Sequence, residues 1–130
     1  MSDIPSTMIA VLQKGEGYSG RSDGPAIADA AEYLETSEID VPNPGPGQVL
    51  IRLRVASVNP SDLHFIKGEY GQPRIKGNPA GFEGCGDVVS AGAGAEGLIG
   101  KRVSFAVALG CSGAWAEYAV TNAINCIPLR

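Results

Sequence analysis

Residues 59–83 read NPSDLHFIKGEYGQPRIKGNPAGFE. They hold the single histidine, His64, and a helix with both a start and a stop signal. Asn59 suits the N-cap, where its side chain accepts from a free amide of the first turn. Pro60 suits the first helical position, where a missing N–H is no loss. Asp62, three residues after Asn59, favours the positive end of the helix dipole and can bond back as in a capping box. Leu63 and Ile66 give the helix an apolar stripe. Gly68 stops it, with Lys67 near the carbonyl end. The expectation is a short helix over residues 60–67. Asn, Ser and Asp at a helix start need no other explanation, so a capped helix without chemistry stays open as one reading.

Upstream, Gln48 to Val58 leads directly into Asn59 and is the clearest strand pattern. Ile51, Leu53 and Val55 alternate with Arg52 and Arg54, which predicts one buried face and one solvated or paired face. A hard turn precedes it, built from Pro42, Pro44, Gly45, Pro46 and Gly47. Tyr33 to Val41 and Met8 to Leu12 read as two earlier strands. Residues 1–7 read as a tail and 14–23 as a loop of glycine, serine and charge. Ala26 to Ala31 is a helical turn or more of that loop. Downstream, Glu69 to Ala80 is irregular. Gly84 to Ala91, Arg102 to Ala108 and Ala114 to Thr121 read as strands, and Ile124 to Pro128 as a short extended piece. Many short strands punctuated by glycine and proline, with one short helix, define a mainly β, barrel-like domain over residues 8–130.

Composition agrees: 18 glycines and 9 prolines in 130 residues favour turns and short strands over long helices. The net charge of −4 is spread along the chain, and no basic block points to nucleic acid or an anionic membrane. The longest uncharged run, Val103 to Ala116, is shorter than the roughly 18–20 apolar residues of a membrane span. The N-terminus has neither the basic nor the apolar region of a signal peptide. Three widely spaced cysteines, Cys85, Cys111 and Cys126, fit a reduced, cytoplasmic protein better than a disulfide scaffold. A metal site would require these cysteines and His64 to converge, which their spacing does not suggest; buried or incidental thiols are the plainer reading.

Gly92, Gly94 and Gly97 spell G-x-G-x-x-G, with Glu117 twenty residues after Gly97. A dinucleotide fingerprint requires those glycines to open a helix facing the pyrophosphate. Here Gly100 and the strand-like RVSFAVA follow at once, so the expectation is a hairpin-type turn.

In order, the chain presents VASVNPSD, a short helix, GEYG, PAGFEGCGDVVSAGAG, GKRVSFA and GAWAEYAV. This succession resembles the N-terminal catalytic domain of the medium-chain dehydrogenase/reductase superfamily, a GroES-like, partly open β-barrel with one or a few short helices. The resemblance runs from about Met8 to Leu129, with the 14–31 loop its least family-like part. Zinc-dependent alcohol dehydrogenases carry a cysteine at the position of Asn59 and a histidine at that of Phe82, so the resemblance implies no zinc here. The NPSD motif is similar to that of quinone reductases and 2-enoyl thioester reductases. That branch uses NADPH, or NADH, to reduce a quinone, an enone or an enoyl thioester.

By the same resemblance Asn59 lines the nicotinamide end of the cleft, where its amide would hold a ribose hydroxyl or a water. Tyr70, in GEYG, matches the tyrosine that enoyl thioester reductases place as proton donor, and its other reading is a loop aromatic packed on the barrel. His64 matches a proton-relay histidine of some zinc alcohol dehydrogenases; a solvated helix residue is the plainer reading. Glu83 is expected to brace the barrel through hydrogen bonds. The family's nucleotide-binding Rossmann domain would begin shortly after Leu129, and the chain ends at Arg130. The expectation is therefore a catalytic-domain fragment that is inactive alone and a homodimer in the full-length protein. The alternatives are a metal-free relative of alcohol dehydrogenase that reduces carbonyls, and a standalone barrel acting as a binding module.

Overall fold

Residues 3–109 and 111–130 are described in the structure of the chain, a computed structural model. Two strands, β1 (Thr7–Gln13) and β2 (Leu34–Asp40), pair as an antiparallel ribbon. Five others form a second antiparallel sheet in the spatial order β6 (Tyr118–Asn122), β3 (Gln48–Ala56), β4 (Glu83–Ala91), β5 (Arg102–Ala106) and β7 (Cys126–Pro128). The two sheets do not close on one another. The α-helix of the described residues, α1 (Pro60–Ile66), lies between β3 and β4, where its caps predict it. This is the expected mainly β, partly open barrel.

Burial departs from simple alternation in β3. Val49, Leu50 and Ile51 are all buried. Val49 and Ile51 pack with Val88, Val103, Phe105 and Ala119 on one face of the sheet. Leu50 points the other way, against Met8, Ala10, Leu12, Tyr118 and Val120, because the β1–β2 ribbon covers that face. The strand's far end is the reverse case: Val55, expected inside, is 65% exposed. The register with β4 slips between Leu50 and Ile51 and again between Leu53 and Val55, so the period of two does not persist.

The strand expected over residues 114–121 is divided in the structure. Only Tyr118–Asn122 joins the five-stranded sheet. The preceding residues bridge the two sheets: Val11 N–H donates to Trp115 O at 2.8 Å, Glu117 N–H to Ile9 O at 3.2 Å, and Leu53 N–H to Glu117 O at 2.9 Å. Gly113 permits the approach, since a β-carbon there would lie 2.3 Å from the carbonyl oxygens of Pro79 and Ala80.

The G-x-G-x-x-G stretch joins two antiparallel neighbours, β4 and β5, through a 3₁₀ turn at Glu96–Leu98. A β-carbon on Gly92 would fall 1.8 Å from Gly45 O, so this glycine lets two turns touch. The expected turn, with no helix to receive a phosphate, is what forms.

Across β3, β4 and β5, Asp87 accepts from Arg54 Nε at 3.1 Å and from Arg102 Nε at 2.8 Å. The Arg102 hydrogen bond, helped by Arg54 and opposed by burial, holds the Asp87 carboxyl down at about 2. A depressed carboxylate stabilises the fold above its unfolded pKa and stops doing so as pH falls through its folded one. Wild type should therefore exceed Asp87→Asn in stability near neutrality, and the gap should close toward about pH 2. Both arginines are half exposed, so the gap is small and shrinks in salt. Urea unfolding of the two proteins across pH at low and high salt measures it; a gap insensitive to pH would refute the pairing.

Candidate active site

Strand β3 ends beside the start of β4, where Ser57 N–H donates to Glu83 O at 3.2 Å. Asn59 follows as the N-cap, its backbone extended, and Pro60 opens the helix. The capping box closes from the far side: Asn59 N–H donates to Asp62 Oδ2 at 2.8 Å. The second carboxylate oxygen, Asp62 Oδ1, accepts from Phe82 N–H at 3.0 Å. One side chain, only 1% exposed, thus ties the helix start to the entry of β4. Burial raises the Asp62 pKa, with the Glu83 charge adding to it, and the two N–H bonds offset this only in part.

The amide of Asn59 is oriented by its neighbours. Its Nδ2 donates to Glu83 Oε2 at 2.9 Å and to Ser57 Oγ at 3.2 Å. Both donor protons of the amide are thereby placed, and Oδ1 is the oxygen it can offer to another donor. Glu83 makes the hydrogen bonds expected of a brace, and the side chain it braces is Asn59.

Three aromatic rings form a row. Phe65 lies 4.9 Å from Phe82 between ring centroids, and Phe82 lies 5.5 Å from Tyr70. Both pairs are tilted, the geometry favoured by ring quadrupoles. Tyr70 closes the row at 40% exposure, and among the described residues its hydroxyl makes no hydrogen bond. Leu63 and Ile66 form the expected apolar stripe of α1, with Leu63 partly buried, and Phe65 joins Ile66 as its second buried residue. The structure brings Asn59, Asp62 and Glu83 into one network and sets Tyr70 against Phe82, whose N–H that network holds. His64 is half-buried, and among the described residues no hydrogen bond joins its side chain to this group.

A second buried group escapes a reading of the sequence. Lys67 is 4% exposed and does not simply face the helix carbonyls. Its Nζ donates to Gly24 O at 2.6 Å and Ala26 O at 3.1 Å, and lies 3.4 Å from Glu69 Oε2. The other Glu69 oxygen accepts from Gly24 N–H at 3.0 Å. Burial pushes the Glu69 carboxyl up, but the Gly24 N–H and Lys67 outweigh it and hold the pKa below its ordinary value. K-G-E after a helix reads as routine surface charge, and nothing in that spacing announces a partner forty residues away.

Among the described residues no group of three or more His, Cys, Asp or Glu side chains converges as a metal site. Burial raises the thiol pKa of both Cys111 and Cys126, which suits packing residues rather than thiolate ligands. Phe82 offers no ligand atom, and its ring is engaged with those of Phe65 and Tyr70.

An open antiparallel barrel with a short capped helix inserted between two central strands is a GroES-like domain. The chain belongs to the alcohol dehydrogenase GroES-like domain family, which matches residues 45–130. It is 35% identical over 112 residues to L-threonine 3-dehydrogenase of Pyrococcus horikoshii, covering 84% of this chain and 28% of that protein. It is 43% identical over 91 residues to prostaglandin reductase-3 of Bos taurus, covering 68% of this chain and 23% of that one. A solved Mesorhizobium loti protein assigned as an NADPH:quinone reductase superposes with a TM-score of 0.95 at 53% identity, over 99% of this chain and 38% of its own. The chain thus spans well under half the length of the oxidoreductases it matches.

Proposed function

We propose that this chain forms the substrate-side wall of an NAD(P)H-dependent oxidoreductase that reduces a quinone or an activated carbon–carbon double bond without zinc. The observation that carries this reading is the exposed phenol of Tyr70, without a hydrogen bond among the described residues, at the end of the Phe65–Phe82–Tyr70 row, whose Phe82 N–H is held by the same Asp62 carboxylate that caps Asn59. The Mesorhizobium protein assigned as an NADPH:quinone reductase and the bovine prostaglandin reductase support the reaction class, and the first supports the nicotinamide cofactor as well. The donor set suits one end of such a cofactor only, because the glycine turn at Gly92–Gly97 opens no helix. Bound NAD(P)H supplies the hydride.

The chain's own residues do the rest. Asn59 Oδ1 accepts from a ribose hydroxyl or a water while Glu83 holds the other end of the amide. Tyr70 donates its phenolic proton to the carbon or oxygen made basic by reduction and regains it from solvent; a relay through His64, which no hydrogen bond joins to this group among the described residues, would need bridging water. The aromatic row keeps water from that side of the cleft. Cytoplasmic location and homodimeric assembly belong to the same proposal and rest on the family resemblance. Among the described residues no helix is long and apolar enough to cross a membrane.

The complete protein should oxidise NADPH or NADH with 1,4-benzoquinone or a 2-enoyl thioester, at a rate unchanged by a zinc chelator. Threonine dehydrogenase among the relatives makes carbonyl reduction the competing reading. Turnover of aldehydes or amino alcohols alone, or loss of activity on chelation, would replace the first reading with the second.

A further inference from the structure

The segment that carries Tyr70 has little to hold it in place by itself. No regular strand or helix lies between α1 and β4, and the Tyr70 ring pairs with one other ring, that of Phe82. Yet both flanks of Tyr70 are stitched to the loop at residues 15–27. On the N-terminal flank, Ser19 N–H donates to Gly68 O at 2.9 Å. Beside it the Lys67–Glu69 pair grips both the carbonyl and the N–H of Gly24. On the C-terminal flank, Gly17 and Arg74 exchange backbone bonds of 2.9 and 3.2 Å, and Arg74 Nε returns to Gly17 O at 2.9 Å. Gly68, at a φ of 78°, leaves room for this, since a β-carbon there would sit 2.7 Å from Ser19 N.

The buried ion pair is the telling part. With side chains 5% and 2% exposed, Lys67 and Glu69 give up most of their hydration. Such pairs add little net stability over an apolar replacement, and their best-attested use is to select one arrangement among several. Here the arrangement selected is the path of the chain immediately before Tyr70. We propose that the 15–27 loop sets the position of the Tyr70 phenol, and that Lys67 and Glu69 are positioning residues for its proton transfer. This rests on the reading of Tyr70 as proton donor given above. A phenol displaced by about an ångström loses much of its rate advantage even in a folded protein.

The test is a mutant cycle in the complete protein: Lys67→Met/Glu69→Gln, Tyr70→Phe, and all three together, assayed with the better of the quinone and the enoyl thioester. Removing both charges at once avoids stranding either one, and because the carbonyls of Gly24 and Ala26 lose their Lys67 donor the urea midpoint is measured alongside and kcat is referred to the folded fraction. The pair variant should lose roughly 10-fold or more in kcat with KM nearly unchanged. In the Tyr70→Phe background the same change should cost nothing further, because its effect runs through the missing hydroxyl. Equal losses in both backgrounds, or no loss in either, would overturn the positioning role and leave Tyr70 as donor. A silent Tyr70→Phe would overturn both. If the pair variant does not fold, Glu69→Gln alone, which keeps an acceptor for Gly24 N–H, enters the same cycle under the same criteria.

Discussion

Tyr70→Phe should lower kcat of the complete protein with a 2-enoyl thioester by about 10²-fold, within the range expected for a lost general acid, while KM changes little. The substitution removes one oxygen and little else. The ring keeps its contact with Phe82 at 5.5 Å, and the hydroxyl has no hydrogen bond to give up among the described residues. Stability should therefore be nearly unaffected, which separates a chemical loss from a folding one. With quinones the loss should be smaller, because a reduced quinone oxygen is basic enough to take its proton from water. An unchanged rate on both substrates would make Tyr70 a packing residue and shift the reading toward plain quinone reduction. Steady-state kinetics on the two substrates, with urea unfolding of the same preparations, decide between these outcomes.

What could be read from the sequence was what local rules govern. Asn59, Pro60, Asp62 and Gly68 announce a helix within one residue of its observed end, because caps act over three or four residues. The P-N-P-G-P-G turn and the alternation of Ile51 with Arg52 place β3 for the same reason. The misreadings all involve a partner far away in the chain. Leu50 is buried because the β1–β2 ribbon happens to cover its face. Ala114 to Glu117 looks like the start of a strand but spends its hydrogen bonds bridging two sheets. Residues 14–23 read as a loop and 26–31 as a helical turn or more of it, which is what forms, but nothing local announces that this stretch is fastened to both flanks of Tyr70. In the candidate site, the Asn59–Asp62 bond was legible as a capping box, whereas the Asn59–Glu83 bond depends on β3 and β4 lying side by side. The Lys67–Glu69 clamp had no local signature.

Asp62→Ala should destabilise the protein by about 2–4 kcal/mol, since it leaves the N–H groups of Asn59 and Phe82 without their shared acceptor. Asp62→Asn, with one acceptor oxygen in place of two, should fall between that variant and wild type. The pH dependence carries the sharper test. Burial raises the folded Asp62 pKa above its unfolded value, so this group favours the fold most when protonated, and its contribution weakens as pH rises through the folded pKa. Wild type should therefore gain on Asp62→Asn as the solution is acidified, whereas Asp87 sends the comparison with its own Asn variant in the opposite direction. Urea unfolding of wild type and Asp62→Asn across the carboxylate range measures this gap; a gap that narrows on acidification would mean the two N–H bonds outweigh burial. Asp62 holds Asn59 with one oxygen and Phe82 with the other, and Phe82 in turn backs Tyr70. Loss of this single carboxylate should accordingly lower kcat/KM in the folded fraction as well. A variant that is merely less stable would recover full activity once corrected for the amount folded, and Asp62→Ala should not.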